Sequence, residues 1–193
     1  MIARNLLVHY GELAVPLLRE IWPALVSFMD GYLERLIQEG PISRQSGLLL
    51  SGARGDWIPP EGNGRGPFPT PTTSIAAFWH TLCVGYMAEM ATAIGKTAEA
   101  ARYTKRLAAN RKAFHAMFFN HHGGGGGGGD GGDATATKRC CYDVGSQTNN
   151  IMALTIGAVP EELVNETVGV LVASIHNRTA THPGDYGGTT SAA

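Results

Sequence analysis

The sequence is poor in charge and has no long apolar run. Lysine, arginine, aspartate and glutamate together make up 16% of the 193 residues, and the formal net charge is −1. A chain without an excess of positive charge lacks the electrostatic basis for binding nucleic acid, so no nucleic-acid partner is expected. No stretch reaches the roughly 18 consecutive apolar residues of a transmembrane helix, so no membrane partner is expected either.

Cysteine is also scarce. Cys83 lies within an apolar helical pattern, and Cys140 and Cys141 are adjacent, which gives an odd count and no disulfide framework. We therefore expect free thiols. The pairs His121-His122 and Cys140-Cys141 lack the separations that let two side chains converge on one zinc ion, so no metal and no other cofactor is expected.

A secretory signal is not recognisable at the start of the sequence. Residues 1–5 read Met-Ile-Ala-Arg-Asn, and no long apolar stretch follows them. That pattern is expected of a cytosolic protein or of a segment whose true start lies upstream. The compartment stays open.

Apolar residues recur with a helical period in five segments, and no segment alternates with period two over a useful length. The predicted helices cover residues 18–36, 75–94, 97–118, 146–158 and 160–175. Pro23 is expected to kink the first helix or to mark its start, and Gly40 to end it. Gly95 is expected to end the second helix, and the short link after it predicts an antiparallel αα-hairpin. The fold class is therefore all-α.

Five amphipathic helices fit a bundle, a solenoid or a slice of a closed αα-barrel. No repeat of fixed period connects the two halves, which disfavours the solenoid. The apolar stripe of the last helix is expected to face the core; it consists of Val164, Val168, Leu171, Val172 and Ile175. Between the third and fourth helices, seven consecutive glycines predict a flexible insertion at residues 121–135.

A loop with an unusual composition follows the first helix. It reads Gly55-Asp56-Trp57-Ile58-Pro59-Pro60, and its prolines stiffen the chain after the acid and the tryptophan. A tryptophan offers a flat apolar face to a sugar ring, and a neighbouring carboxylate can accept hydrogen bonds from sugar hydroxyls. Asp56 and Trp57 are thus a candidate carbohydrate-binding pair. The alternative is that Asp56 caps a turn and Trp57 fills the core.

Three blocks in order resemble one known family. The blocks are "GDWIPP", "AFWHTLCVGYMAEMATAIGKTAEAARYTKRLAANRKAFHAMFFN" and "GSQTNNIMALTIGAVPEE". They are similar to the six-hairpin domain of bacterial and fungal α-L-rhamnosidases, and the resemblance extends from about residue 10 to residue 182. It implies αα-hairpins that form part of an (α/α)6 barrel. It also implies inverting hydrolysis of terminal α-L-rhamnose, with a rhamnose-containing glycoside or polysaccharide as the partner.

The resemblance also assigns residues. Asp56 and Trp57 match a family active-site block and are expected to bind substrate, and Gln147 and Thr148 match a second block near the barrel mouth. In the family, the catalytic acid belongs to an Asp-Glu-Arg type block upstream of the Gly-Asp-Trp loop, and the base is a glutamate downstream of the last block. No Asp-Glu-Arg occurs in this sequence. Residues 1–193 are therefore expected to form a partial domain that lacks both of the catalytic carboxylates.

Other carboxylates are weaker candidates for catalysis. Glu61 is the best local candidate because it lies on the loop close to Trp57. Glu34 and Glu99 occupy polar helix positions, where a solvated face is expected. The alternative function is a non-catalytic carbohydrate-binding or structural helical module. An incomplete barrel leaves apolar surface exposed, so self-association is also expected.

Overall fold

Helices account for almost all of the regular structure. A computed structural model of the chain describes residues 2–54, 70–120 and 141–181. Its α-helices are α1 (Ile2–Tyr10), α2 (Val15–Val26), α3 (Glu34–Glu39), α4 (Pro41–Ser46), α5 (Thr72–Ala93), α6 (Thr97–Phe118), α7 (Gln147–Thr155) and α8 (Glu161–Thr181). The strands that it describes are β1 (Phe119–Asn120) and β2 (Cys141–Tyr142), which pair antiparallel. The all-α class is confirmed.

The chain divides into two units. Unit 1 comprises Met1–Ala53 and Ala76–Phe114, and unit 2 comprises Arg54–Ile75 and His115–Ala193. The boundaries fall inside α5 and α6, so the first turn of α5 and the last turn of α6 belong to unit 2.

The first predicted helix is longer than its apolar stripe. A 3-10 turn at Gly11–Ala14 leads into α2, and a π-helix at Ser27–Leu33 connects α2 to α3. The prediction that Pro23 marks a helix start is wrong, because α2 begins at Val15 and Pro23 lies inside it. Pro16 occupies the first turn instead, where a missing N–H removes no helical hydrogen bond.

The expected helix ends at glycine are confirmed. Gly40 leaves the helical region with φ −88° and ψ 120°, and Gly95 adopts φ +81°, a region that side chains disfavour. The antiparallel hairpin of α5 and α6 is also present, since Leu107 packs against Gly85 while Asn110 reaches back to His80. This hairpin and α2 supply much of the core of unit 1, including Leu18, Trp22, Val84, Met87 and Tyr103.

The prediction for the face of α8 is wrong in part. Val168, Val172 and Ile175 are 40–45% exposed, whereas Thr167 has no exposed surface. The adjacent face packs in unit 2, where Ser174 accepts a hydrogen bond from the Gln147 amide at 3.3 Å. Apolar spacing identifies one face of a helix, but it does not show whether a neighbour covers that face.

Candidate functional site

Some of the site residues predicted from the sequence lie outside the described residues, and others lie within them. Asp56, Trp57 and Glu61 lie outside the described residues, as does the predicted insertion at 121–135. Gln147 and Thr148 open α7 and are described. The site can therefore be built from the start of α7 and from the residues of unit 2 around it.

Ser146 fixes the start of α7. Its side chain accepts a hydrogen bond from the backbone N–H of Asn149 at 3.1 Å, which satisfies one of the free N–H groups of the first helical turn. The same hydroxyl donates to Asn149 Oδ1 at 2.8 Å and lies 2.9 Å from Thr70 Oγ1. Because Ser146 has a single hydroxyl proton, Thr70 is the donor in this last contact.

Asn149 connects the start of α7 to the start of α5. Its Nδ2 donates to Ser74 Oγ at 3.0 Å, and Ser74 lies in the first turn of α5. Thr70, Ser74 and Asn149 are all at most 1% exposed, and Ser146 is 4% exposed. We call Thr70, Ser74, Ser146 and Asn149 the α5–α7 network. A buried hydrogen-bonded network of this kind rigidifies the backbone that it joins.

The turn before α7 is held from two sides. Asn150 accepts a hydrogen bond from the backbone N–H of Tyr142 at 3.1 Å and donates to the carbonyl of Gly145 at 3.3 Å. The backbone N–H of Asp143 donates to the carbonyl of Phe118 at 2.6 Å. Asp143 has φ +52° and is the one non-glycine residue with positive φ in the described part of the chain.

The Asp143 side chain is partly buried. Burial raises the pKa of the carboxyl group above its usual range and outweighs the opposing influence of the nearby Ser74 hydroxyl. Its second oxygen, Oδ2, is buried and has no hydrogen-bond partner in the described structure. Asp143 does not stand out in the sequence, because an aspartate two residues before a glycine is an ordinary turn former. Its place just before the "GSQT" block was the available signal.

Aromatic side chains lie next to the turn in unit 2. Tyr142 is fully buried, its hydroxyl donates to the carbonyl of Ala158 at 3.3 Å, and His115 Nδ1 lies 2.8 Å from the same hydroxyl oxygen. His115 stacks on Phe119 with ring centroids 4.6 Å apart. Burial raises the pKa of Tyr142. These contacts support the turn and leave the Tyr142 phenol neutral at physiological pH.

Besides the α5–α7 network of unit 2, the chain has a polar cluster in unit 1. It consists of Asp30, Glu34, Arg102, Tyr103 and Arg106. Asp30 Oδ2 accepts hydrogen bonds from Arg102 at 2.6 Å and Tyr103 at 2.8 Å, and Asp30 Oδ1 accepts one from Arg106 at 3.2 Å. Arg106 also donates to Glu34 at 2.6 Å. Burial opposes ionisation of Asp30, but the hydrogen bonds and positive charges prevail and lower its pKa. These charges neutralise one another, so we assign the cluster a structural role.

Glu34 and Glu99 lie at partly solvated positions, with side chains 37% and 30% exposed, but each also has a specific hydrogen-bond partner. Glu34 binds Arg106, and Glu99 accepts a hydrogen bond from the indole N–H of Trp22 at 2.9 Å. Trp22 is 2% exposed, and a buried indole N–H needs an acceptor. A sequence pattern places a glutamate on the polar side of a helix but does not reveal the donor that packs against it.

His80 is buried beside this cluster in unit 1. It is 1% exposed, and its ring nitrogens lie 3.3 Å from Arg106 Nη2 and 3.4 Å from Asn110 Nδ2. Burial and the charge of Arg106 lower the pKa of His80 to about 4. His80 is therefore neutral at pH 7 and belongs to the packed interior of unit 1.

The described residues contain no group of three or more His, Cys, Asp or Glu side chains that could hold a metal ion. Cys83 and Cys141 are free, as expected, while Cys140, His121 and His122 lie outside the described residues. Among the helices that the structure describes, none is both long and apolar enough to cross a membrane.

The chain matches one family model along nearly its whole length. Residues 1–187 match the bacterial α-L-rhamnosidase six-hairpin glycosidase domain. Comparisons with curated proteins and with solved structures gave no match. The family match agrees with the helical hairpin of α5 and α6. The chain belongs to the bacterial α-L-rhamnosidase six-hairpin glycosidase domain family.

Proposed function

We propose that this chain binds the terminal α-L-rhamnose of a glycoside or polysaccharide as part of an inverting α-L-rhamnosidase. The observation that carries the proposal is the family match over residues 1–187. The family implies a carbohydrate substrate in general. Rhamnose follows from the family's activity, and the closed (α/α)6 barrel follows from its architecture.

Asp56 and Trp57 are the proposed sugar contacts, together with Gln147 and Thr148. An indole face can stack on the apolar side of a pyranose ring, while the carboxylate and the amide bind its hydroxyls. The α5–α7 network supports the assignment of Gln147 and Thr148, because it makes the backbone at the start of α7 rigid. Rigid placement reduces the conformational entropy that a site loses on binding.

Hydrolysis requires two carboxyl groups on opposite faces of the sugar ring. The sequence of residues 1–193 has no block that matches the family's acid, and Glu61 is the best local candidate for a catalytic group. We expect residues 1–193 to bind rhamnose without hydrolysing an aryl α-L-rhamnoside. Clear turnover that Glu61→Gln abolishes would overturn this expectation and identify Glu61 as an acid or base.

The binding test is a titration with L-rhamnose, followed by tryptophan fluorescence. The wild-type chain should give a saturable change, and Trp57→Ala should remove it. Trp79→Phe is the matched control, because Trp79 is 41% exposed but lies on α5 outside the predicted sugar-binding pair. A change of the same size in Trp57→Ala would exclude Trp57 from the site, and no change in the wild type would refute rhamnose binding.

Self-association is a second property that we propose, since apolar side chains are exposed in both units. Leu13 is 84% exposed in unit 1, and Val168, Val172 and Ile175 form an exposed stripe on α8. Exposed apolar patches favour association with another protein surface. Light scattering over a concentration series should show a mass above 20.4 kDa. A constant mass equal to that of the monomer at every concentration would contradict the proposal.

A further inference from the structure

Unit 1 contains a small cavity with a largely apolar lining. Its volume is about 80 Å³, and its lining comes from α1, the end of α2, the π-helix and α5. All of these lining residues belong to unit 1, so the cavity lies within one packed unit. Apolar side chains that face an empty space lack dispersion contacts, and a ligand of matching shape can supply them.

Three buried methionines form the inner part of the lining. Met29 belongs to the π-helix and Met87 and Met90 belong to α5, and all three are 2–4% exposed. Cys83 lies on the same face of α5, because it precedes Met87 by one helical turn and Met90 by two. Sulfur is polarisable and makes favourable contacts with aromatic rings. A lining rich in sulfur therefore favours an aromatic ligand over an aliphatic one of the same size.

Two aromatic side chains line the cavity nearer to solvent. Phe28 is 50% exposed and Tyr86 is partly buried. Phe28 stacks on Tyr32, with ring centroids 5.8 Å apart and an angle of 22° between the ring planes. Aromatic rings attract one another in offset-stacked and edge-to-face arrangements. A ligand ring that enters beside Phe28 and Tyr86 can adopt such an arrangement with either of them.

The charge of the lining is already neutralised. Arg4 is the charged residue among the described side chains that line the cavity. Its Nε donates to Glu89 Oε2 at 3.0 Å, and its guanidinium carbon lies 5.1 Å from the centre of the Tyr86 ring. An anionic ligand would have to compete with Glu89, and a cationic ligand would bury its charge without a partner. The lining therefore favours a neutral ligand.

The volume limits the ligand to about one ring. An engineered apolar cavity of about 150 Å³ in another protein encloses one benzene molecule. The cavity of unit 1, at about 80 Å³, is roughly half that size. A single ring would therefore be enclosed in part, and the rest of the ligand would lie at the exposed side of Phe28.

We propose that this cavity is a binding site for a small neutral aromatic molecule. The ring packs on Met29, Met87 and Met90, and Phe28 and Tyr86 flank it. The inference goes beyond the proposed function, because it requires neither rhamnose nor any residue of unit 2. Removal of the apolar ring from water supplies the driving force. For a ligand of one ring we expect a dissociation constant on the order of 1 mM.

The test is an NMR titration of the full chain with isotope-labelled methionine methyl groups. Phenol and cyclohexanol are the probes, since each has a six-membered ring with one hydroxyl group and they differ in aromaticity. Phenol should shift the signals of Met29, Met87 and Met90 with one common dissociation constant. The signals of Met117 and Met152 are the controls within the chain, because these residues belong to unit 2. Phenol should bind about tenfold more tightly than cyclohexanol, since only phenol gains ring–ring and sulfur–ring contacts.

Three variants locate the site. Cys83→Leu should weaken phenol binding about tenfold or more, because the larger side chain occupies the cavity. Cys83→Ser is the matched control; it changes the same side chain without filling the space and should bind phenol as the wild type does. Phe28→Ala removes a half-exposed ring and should also weaken binding. Circular dichroism checks that each variant is folded, and Phe28→Ala decides the outcome if Cys83→Leu is not.

The outcomes separate this inference from the proposed function. Saturable shifts confined to the three cavity methionines, weaker in Cys83→Leu and Phe28→Ala but retained in Cys83→Ser, support the site. Equal affinity for phenol and cyclohexanol overturns the aromatic ligand, and wild-type phenol affinity in both Cys83→Leu and Phe28→Ala overturns the site. Absence of any shift also overturns it; together with a mass above 20.4 kDa, it would assign the cavity to contact with a second copy of the chain. The L-rhamnose titration tests the proposed function independently of these results.

Discussion

His80 should make the stability of the chain fall as the pH decreases from 7 to 5. The imidazole is 1% exposed and lies beside the guanidinium group of Arg106, and these two features lower its pKa from 6.5 to about 4. The unfolded chain therefore takes up a proton on His80 at a pH where the folded chain does not. Stability decreases with falling pH wherever the unfolded state binds more protons than the folded state.

The size and the pH window of the effect follow from those two pKa values. The contribution is fully present above pH 6.5 and is lost progressively as the pH falls towards 4. Between pH 7 and pH 5 the linkage relation gives a loss of about 2 kcal/mol in the free energy of unfolding. The pKa of Asp30 is lowered, so its own contribution is lost only at a pH below 3.8, the ordinary pKa of an aspartate. The two effects are therefore separated in pH.

Urea unfolding at pH 7, 6 and 5 would measure this loss. The comparison is between the wild-type chain and His80→Gln, which fills a similar volume and does not titrate. His176→Gln is the matched control, because His176 is an exposed histidine of α8. The wild type and the control should lose about 2 kcal/mol more than His80→Gln over this range. Equal pH dependence in all three proteins would refute the assignment of His80 as a buried neutral group.

Two further predictions concern the polar clusters. Asp30→Asn should reduce the free energy of unfolding by about 1–3 kcal/mol, because it weakens the contacts of one carboxylate with three donors. In urea unfolding, Glu39→Gln should cost less than about 1 kcal/mol, since its ion pair with Arg35 is exposed. Asn149→Ala should reduce the free energy of unfolding by about 1–3 kcal/mol, because it leaves buried hydroxyls unsatisfied. Asn165→Ala, at an exposed position of α8, is the control and should cost less; an equal or smaller effect of Asn149→Ala would count against the α5–α7 network.

The long helices could be predicted from the sequence because their signals are local. Apolar spacing and the glycines at positions 40 and 95 gave the hairpin of α5 and α6 and the end of α3. The short helices α1 and α4 were missed, since nine and six residues carry too few turns for a clear period. The π-helix at Ser27–Leu33 was also missed, because no composition rule distinguishes it from an α-helix.

The candidate site was predicted only in part. Gln147 and Thr148 were identified by resemblance, and the structure places them at the start of α7. The raised pKa of Asp143 was not predicted, because burial is its main cause and burial depends on neighbours that are distant in the chain. Asp56, Trp57 and Glu61 remain sequence predictions, since they lie outside the described residues.

The sequence by itself determined the helical class and the family, because both depend on residue order and periodicity along the chain. Only the tertiary structure decided which polar groups are paired, which are buried and which face of α8 is covered. His80, Glu99 and Asp143 all looked ordinary in the sequence, yet one is held neutral, one binds a buried indole and one keeps an unused oxygen. The physical reason is that burial and hydrogen bonding depend on neighbours that are distant in sequence, whereas the hydrophobic period is a local property.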